Sequence, residues 1–199
     1  MKKEIVINYY NSLEFIKILN NTEFDFTIYN KSEKYLNLNE SINQKLVPNI
    51  GREGHTYLRH IIDNYENLAD YTIFIQDDFE NHQPNHEVFY TRIQDNLDKS
   101  FYQFPCTWRK GGGIMSRYIN NGFLDLFTIG DNNAIQKFSE KFECNLPQSY
   151  NTETCAFFIL KKATILKNPK KLYEDISLWL LEDEKNKFIL EHTWKIIFN

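Results

Sequence analysis

The spacing of apolar residues predicts alternating strands and helices in the first part of the chain. Strands are predicted at Ile5–Tyr10, Phe26–Tyr29 and Tyr71–Ile75, which are runs rich in β-branched and aromatic residues. An apolar stripe at Leu13, Phe15, Ile16 and Leu19 predicts a helix after the first strand. Because strands alternate with helices, we expect an α/β fold with a mostly parallel sheet flanked by helices.

The most informative stretch runs from Asn49 to Asp78. Apolar residues recur in it at helical spacing, at Tyr57, Leu58, Ile61, Ile62 and Tyr65, and leave Arg52, Thr56, Arg59 and Asp63 on the opposite face. This amphipathic helix is predicted to begin after Gly51, and the strand that follows it ends at Gln76-Asp77-Asp78. Ligands of open α/β sheets bind outside the carboxyl ends of the strands, so these acids lie where a binding site is expected.

The adjacent carboxylates of Asp77 and Asp78 have two interpretations. They repel each other unless a cation or another partner lies between them. A hard divalent ion, held by one or two carboxylates and by substrate phosphates, is one such partner. His82 follows Asp78 by four residues and is within reach of the same ion. The alternative is a solvated loop in which both acids form ordinary turns and His82 binds nothing.

Polar and aromatic residues also end the first two predicted strands. Asn8 and Tyr9 lie at the end of the first strand, and Asn30 follows the second. In a parallel sheet these ends lie beside the end of the third strand, so the residues are candidates for contact with a nucleotide base. Simple packing at the edge of the sheet is the alternative interpretation.

The second part of the chain contains further helices, another strand and an irregular segment. Helices are predicted around Val88–Leu97, around Ala134–Phe142, after Pro169 and over Phe188–Phe198, and a buried strand is predicted at Thr154–Leu160. The segment Phe101–Gly122 contains three successive glycines beside Arg109, Lys110 and Arg117. It is a candidate lid over a bound anion or a mobile surface loop. Nothing repeats internally, so residues 1–199 are expected to form one domain.

Composition and charge exclude several classes of protein. A hydrophobic content of 42% with 16% aromatic residues fits a folded globular chain. A net charge of −4 argues against a general nucleic-acid binder. The three cysteines lack metal-ligand spacing, which fits a reducing, cytoplasmic location. We expect neither a signal peptide nor a transmembrane segment, because the latter would need about 18 uncharged apolar residues.

Three blocks of sequence together resemble the domain-of-unknown-function family DUF3431. They are Val47–Ile62, Ile73–Asp78 with His82, and Glu191–Phe198. The blocks extend over nearly the whole chain in the order in which that family has them. We therefore expect the chain to be a member.

The same blocks resemble the large inverting family of GT-A glycosyltransferases. A loop with Asn49 and Gly51, a helix with arginine, and a strand that ends in a D-x-D-like acid cluster match its nucleotide-sugar half. The sequence Glu191-His-Thr-Trp194 is similar to that family's E-D-x-W block. This chain has Gln76 where a strict D-x-D motif has its first acid, and His192 where the family has aspartate.

The resemblance implies a single GT-A-like (Rossmann-like) domain that transfers a sugar from a nucleotide-diphospho sugar to a glycan or other hydroxyl acceptor. Residues 1–78 would form its nucleotide-binding half and residues 79–199 its acceptor half. Mn²⁺ or Mg²⁺ would bind to Asp78, with help from Asp77 or His82. The implied nucleotide-sugar contacts come from Asn8, Tyr9, Asn30, Asn49, Gly51, Arg52, Arg59, Gln76 and Asp77. Glu191 would be the catalytic base, with His192 beside it.

Two other functions are compatible with parts of the sequence. Asp77, Asp78, His82 and His86 could instead form the cluster of a metal-dependent phosphoesterase, which would leave the Asn49–Arg52 block without a role. The missing first acid of the D-x-D motif also permits a module that binds a nucleotide sugar or carbohydrate without catalysis.

Overall fold

The computed structural model describes residues 1–105, 115–119, 122–123, 133–153 and 156–198. Within these residues the strands are β1 (Lys3–Tyr9), β2 (Asp25–Asn30), β3 (Asn43–Leu46), β4 (Tyr71–Gln76), β5 (Phe101–Gln103), β6 (Met115–Ile119), β7 (Gly122–Phe123), β8 (Ser149–Glu153) and β9 (Phe158–Lys161). The helices are α1 (Arg52–Asp63), α2 (Phe79–His82), α3 (His86–Asn96), α4 (Ala134–Lys141), α5 (Lys162–Ile165), α6 (Lys170–Leu180) and α7 (Glu184–Ile197).

The main sheet has six strands in the order β3-β2-β1-β4-β9-β5. β3, β2, β1 and β4 are parallel, whereas β9 is antiparallel to both of its neighbours. Asn8 lies opposite both Tyr29 and Gln76, so the carboxyl ends of the first three predicted strands are aligned. These observations confirm the predicted α/β fold with a mostly parallel sheet. A second sheet, β7-β6-β8, is antiparallel.

The core lies on both faces of the main sheet. Alternate residues of β1 point in opposite directions, so Val6 packs in one cluster and Ile5 and Ile7 pack in the other. The first cluster includes the apolar faces of α1, α6 and α7, and the second includes residues of α3. Burial on both sides explains why β1 and β4 each contain a continuous apolar run, Ile5–Ile7 and Ile73–Ile75.

Two elements in the first half differ from the prediction. β3 was not predicted because its sequence, Asn-Gln-Lys-Leu, is mostly polar, as is typical of an edge strand. The helix predicted after β1 is only a short 3₁₀ segment at Glu14–Ile18, in which Phe15 and Ile18 are buried. Leu13 and Ile16 are exposed, so half of the apolar stripe contributes little to packing.

The second half confirms the predicted helices and refines the rest. The short α2 lies in a segment that sequence patterns left irregular. β9 covers only the end of the strand predicted at Thr154–Leu160, and Thr154 and Cys155 lie outside the described residues. The three glycines, Arg109, Lys110 and the side chain of Arg117 also lie outside them. None of the helices in the described ranges is long and apolar enough to cross a membrane.

Candidate functional site

The first residues of α1 lie beside the carboxyl ends of the parallel strands. Thr56 Oγ1 donates a hydrogen bond of 2.7 Å to Asn8 Oδ1, near the end of β1. One turn later, His60 Nε2 lies 3.6 Å from a carboxylate oxygen of Glu4, near the start of β1. α1 therefore runs opposite to β1, and Arg52 lies at the carboxyl edge of the sheet.

The same geometry locates Arg59 away from that edge. Arg59 is next to His60 and is roughly 10 Å from Arg52 along the helix axis. Its Nε lies 3.0 Å from Asp63 Oδ2, in an exposed ion pair within the helix. Arg52 and Arg59 were both predicted to contact the nucleotide sugar, and only Arg52 lies with the other site residues.

Asp77 holds the loop that follows β1. Its Oδ2 accepts hydrogen bonds from the backbone amides of Tyr10, Asn11 and Ser12, each at 2.8 Å. The backbone amide of Asp77 donates to the carbonyl of Asn8 at 3.2 Å. Amides that donate to a carboxylate form strong, charge-assisted hydrogen bonds. This oxygen of Asp77 is therefore committed to the protein's own backbone rather than directed at a ligand.

Asp78 and His82, which were predicted as metal ligands, do lie together. Asp78 Oδ1 is 3.3 Å from His82 Nε2, across the single turn of α2. The imidazole is buried and stacks on Phe157 with 4.8 Å between ring centroids. The carboxylate of Asp78 is 39% exposed. No group of three or more His, Cys, Asp or Glu side chains in the described ranges is arranged to hold a metal.

The loop before α1 has a left-handed backbone at two successive residues. Gly51 has φ 61° and Arg52 has φ 50°. A Cβ on Gly51 would lie 2.4 Å from the Cβ of His55, so the position needs glycine. Lys31, at the end of β2, donates hydrogen bonds from its buried Nζ to the carbonyls of Ile50 and Arg52. Burial lowers the pKa of Lys31 to about 8, against the opposing effect of nearby Glu53.

This loop sets the direction of the Arg52 guanidinium. The group lies over the ring of Phe188 in α7, 5.1 Å from the centroid. Its Nε is 3.5 Å from Glu53 Oε2, and the side chain is 44% exposed. A guanidinium that packs on an aromatic ring and is open to solvent is suited to bidentate contact with phosphate.

Close packing of α7 on α1 brings Glu191 near Arg52 and Glu53, the first residues of α1. A Cβ on Gly54 would lie 2.7 Å from a methyl carbon of Leu190, so the absence of a side chain at Gly54 permits the approach. Burial raises the pKa of Glu191 to about 8; the negative charge of Glu53 also raises it, and Arg52 lowers it. A carboxylate with such a pKa can accept a proton near neutral pH, as a general base must.

His192 does not share the surroundings of Glu191. It is 5% exposed, and burial lowers its pKa to about 4. Successive residues of a helix point about 100° apart, so His192 faces the interior while Glu191 faces α1. The predicted place of His192 beside the catalytic base stays a prediction.

Tyr57 is a residue of the site that sequence reasoning treated only as core. Its ring is fully buried against Phe74, Phe158 and Trp194. Burial raises the pKa of its hydroxyl, and so do, in order of effect, the charges of Glu53, Asp78, Asp77 and Glu191. The charges of the predicted metal ligands at the end of β4 and of the predicted base on α7 therefore all act on the hydroxyl of one tyrosine.

The remaining residues predicted to contact the nucleotide sugar are at the carboxyl edge, but several of them already contact other parts of the protein. The amide of Asn30 donates to Lys34 and Gln44, and its Oδ1 accepts from the backbone and hydroxyl of Ser32. Tyr9 is buried against Phe15, with 5.6 Å between centroids. Asn49 is exposed, and Gln76 is partly exposed at the end of β4.

A family model matches most of the chain, including all of these predicted site residues except Asn8 and Tyr9. The model described as protein of unknown function (DUF3431) matches residues 16–199. The chain belongs to this family. The predicted membership in DUF3431 is thereby confirmed, and the match includes Arg52, Asp78 and Glu191.

Two further comparisons concern the DUF3431 protein as a whole. No curated protein matches it in sequence. A solved structure of CMP:2-keto-3-deoxy-manno-octonic acid synthetase complexed with CTP is similar to it at a TM-score of 0.38 and 10% identity, over 91% of this chain and 85% of that one. A TM-score this low does not establish a common fold, so the assignment of function rests on the residues of this chain.

Proposed function

We propose that this DUF3431 protein is a metal-dependent glycosyltransferase that uses a nucleotide-diphospho sugar and a hydroxyl acceptor. The observation that supports the proposal is that Arg52 begins α1 and Asp78 follows β4 at the carboxyl edge of the parallel sheet, where α/β proteins bind their ligands, and that the charge of Arg52 acts on Glu191. An exposed acid, an exposed guanidinium and a carboxyl group of raised pKa are the groups that such a transfer requires.

The donor set near Asp78 fits a hard divalent ion that shares its ligands with a diphosphate. Such ions are commonly held by one or two carboxylates together with phosphate oxygens. Asp78 is the exposed carboxylate, and the adjacent His82 is the second candidate ligand. When bound, Mn²⁺ or Mg²⁺ would neutralise charge on the leaving diphosphate. Arg52 would bind the same diphosphate, because its guanidinium is fixed by Phe188 and open to solvent.

Glu191 is the proposed base for the acceptor hydroxyl. The charge of Glu53 helps to keep the pKa of Glu191 raised, and the positive charge of Arg52 limits the shift. Within this proposal Asp77 does not bind the metal. It fixes the loop after β1 through three amide hydrogen bonds and so shapes the edge where the nucleotide would lie.

Binding of nucleoside diphosphates and their sugars, with and without Mn²⁺, tests the proposal by thermal stabilisation and calorimetry. Asp78→Asn should abolish the Mn²⁺-dependent part of binding and leave the fold intact, because Asp78 is exposed and outside the core. Asp95→Asn, an exposed acid on α3, is the matched control and should bind as the wild type does. Unchanged Mn²⁺ affinity in the Asp78 variant would remove the metal site from the proposal.

An assay of sugar transfer to an acceptor distinguishes the role of the catalytic base from that of the donor-binding residues. Glu191→Gln should bind the donor normally and lose about two to four orders of magnitude in transfer rate, the usual contribution of a general base. Near-normal transfer would mean that another residue accepts the proton.

One observation favours a second candidate, a module that binds nucleotide sugars without catalysis. Because Asp77 is committed to backbone amides, Asp78 is left as the exposed acid at the end of β4. Such a module would show Mn²⁺-dependent binding with neither transfer nor hydrolysis. The phosphoesterase alternative is less favoured, since it gives no role to Arg52, whose guanidinium lies over Phe188 and is open to solvent.

A further inference from the structure

Lys31 is a buried lysine that the proposed reaction does not use. It follows β2 at the carboxyl edge of the sheet, and the residue is only 6% exposed. A buried ammonium is unfavourable unless hydrogen bonds and an opposite charge compensate for the loss of water. The groups that Lys31 contacts therefore indicate what this residue does.

The ammonium of Lys31 holds the loop that leads into α1. Its Nζ donates hydrogen bonds to the carbonyl oxygen of Ile50, at 3.1 Å, and to that of Arg52. These two carbonyls lie on either side of Gly51. The backbone amide of Lys31 donates in turn to the carbonyl of Tyr9 at 2.8 Å. Lys31 therefore connects the ends of β1 and β2 with the loop before α1.

The left-handed backbone of Arg52 needs this support. Its φ of 50° is unfavourable for a residue with a side chain, and such conformations persist where the surrounding structure fixes them. The hydrogen bond from Lys31 to the carbonyl of Arg52 is one such constraint. Since φ determines the direction of the Cα–Cβ bond relative to the preceding chain, this constraint also sets the direction in which the Arg52 side chain leaves the backbone. That direction brings the guanidinium over the ring of Phe188.

The surroundings of the Lys31 ammonium leave it charged at neutral pH. Burial lowers its pKa from 10.5 to about 8; the charge of Glu53 opposes this shift, and the charges of Lys187 and Arg52 add to it. Lys31 therefore carries its proton at pH 7. Its hydrogen bonds to the two carbonyls are thus charge-assisted, and they are stronger than those of a neutral donor.

We infer that Lys31 is a positioning residue for phosphate binding, whose ammonium holds Arg52 in the direction from which its guanidinium would contact the diphosphate. Lys31 acts through the loop and does not itself touch the ligand. The inference rests on the proposed function for the identity of that ligand. Its structural part, that the ammonium keeps the loop before α1 in place, is tested without any ligand.

Hydrogen exchange of backbone amides tests the hold on the loop. Lys31→Met keeps the aliphatic stem and removes the ammonium. In this variant the amide of His55, which donates to the carbonyl of Gly51 at 3.1 Å, should exchange at least about tenfold faster, whereas the amides of β4 should not change. Lys45→Met is the matched control, because the ammonium of Lys45 lies over the ring of Tyr29. Unchanged exchange of the His55 amide in Lys31→Met would overturn the inference.

Calorimetry with UDP, GDP and ADP, and with the corresponding nucleosides, tests the phosphate role. Lys31→Met should weaken diphosphate binding about tenfold or more and leave nucleoside binding unchanged. Lys45→Met should change neither. In the Arg52→Ala background, Lys31→Met should cause no further loss, because its effect passes through Arg52. A further loss in that background, or equal losses for nucleosides and diphosphates, would contradict the positioning role.

A pH series tests the charge of the ammonium without a substitution at Lys31. Glu191 also has a pKa raised to about 8, so the Glu191→Gln protein is used. Burial lowers the pKa of the neighbouring His55 from 6.5, so this group does not titrate above pH 7. As the pH rises through about 8, Lys31 should lose its proton, and diphosphate affinity should fall toward that of Lys31→Met in the same background. A flat profile would show that the charge is not needed and that the inference is wrong.

The inference and the proposed function fail in different ways. If the wild type binds no diphosphate while Lys31→Met speeds exchange in the loop, the proposed function is refuted and Lys31 only supports the loop. If the wild type binds diphosphates and Lys31→Met binds them equally well, the proposed function stands and the positioning role of Lys31 is refuted.

Discussion

Replacement of Glu191 by glutamine should change how the stability of the protein depends on pH. Burial, with the charge of Glu53 as the second cause, raises the pKa of Glu191 to about 8 from an ordinary value of 4.5. The folded state therefore favours the neutral carboxyl. The stabilisation from this preference is complete below pH 4.5 and is lost as the pH rises through about 8. Glutamine resembles the neutral form and does not titrate.

The size of the effect follows from the linkage between protonation and folding. In the window between the two pKa values, each pH unit changes the difference in unfolding free energy between the proteins by at most about 1.4 kcal/mol. Glu191 is only partly buried, so solvent screening should reduce the change. From pH 5.5 to pH 7.5 we expect Glu191→Gln to gain roughly 1–2 kcal/mol relative to the wild type.

Urea unfolding at a series of pH values from 5 to 8 measures this difference without any substrate. Titration of the groups that do not interact with Glu191 cancels when the wild type and the variant are compared at the same pH. Glu184→Gln, at an exposed acid in the first turn of the same helix, is the matched control for the loss of a carboxylate. A flat difference for Glu191→Gln would show that this carboxyl titrates normally and would refute its assignment as a base with raised pKa.

Two further substitutions test the division of roles at the carboxyl edge. Arg52→Ala should weaken nucleoside diphosphate binding by about 1.5–3 kcal/mol, the range for a hydrogen bond to a charged group, and leave nucleoside binding unchanged in calorimetry. Arg59→Ala is the matched control and should change neither, so equal losses in both variants would contradict the phosphate role of Arg52. Asp77→Asn should lower the free energy of unfolding by about 1.5–3 kcal/mol in urea, because three amide donors lose their charged acceptor. Loss of Mn²⁺ binding without loss of stability would show that Asp77 is a metal ligand.

Hydrophobic spacing in the sequence predicted the long helices and the buried strands of the fold. α1 and β4 have long apolar patterns, and their type and order are as predicted. β3 escaped prediction because an edge strand of polar residues differs little from a loop in sequence. The 3₁₀ segment after β1 shows the opposite error, since Leu13 and Ile16 supply helical periodicity but remain exposed.

The elements that carry the proposed site residues could be predicted from the sequence, but the contacts of those residues could not. The acids follow strand β4 and the Glu-His pair lies in helix α7, as their patterns predicted. That Asp77 would bind the loop after β1, and that Asp78 would remain exposed, depends on backbone geometry 65 to 67 residues away. The small volume of Gly54 was visible in the sequence, but its contact with Leu190 arises only when α7 packs on α1.

The antiparallel strand β9 has a consequence for the order in which the protein can fold during synthesis. β3, β2, β1 and β4 are complete once residue 76 has been made, whereas β9 begins at Phe158. Until then the outer edge of β4 has no partner, and β5, which pairs with β9 in the described sheet, has no strand to join. α6 and α7, which cover α1, are made later still. The four strands made first must therefore wait, with the outer edge of β4 open, for strand pairings of long sequence separation. This delay makes the nascent sheet slow to close and exposed to association with other chains.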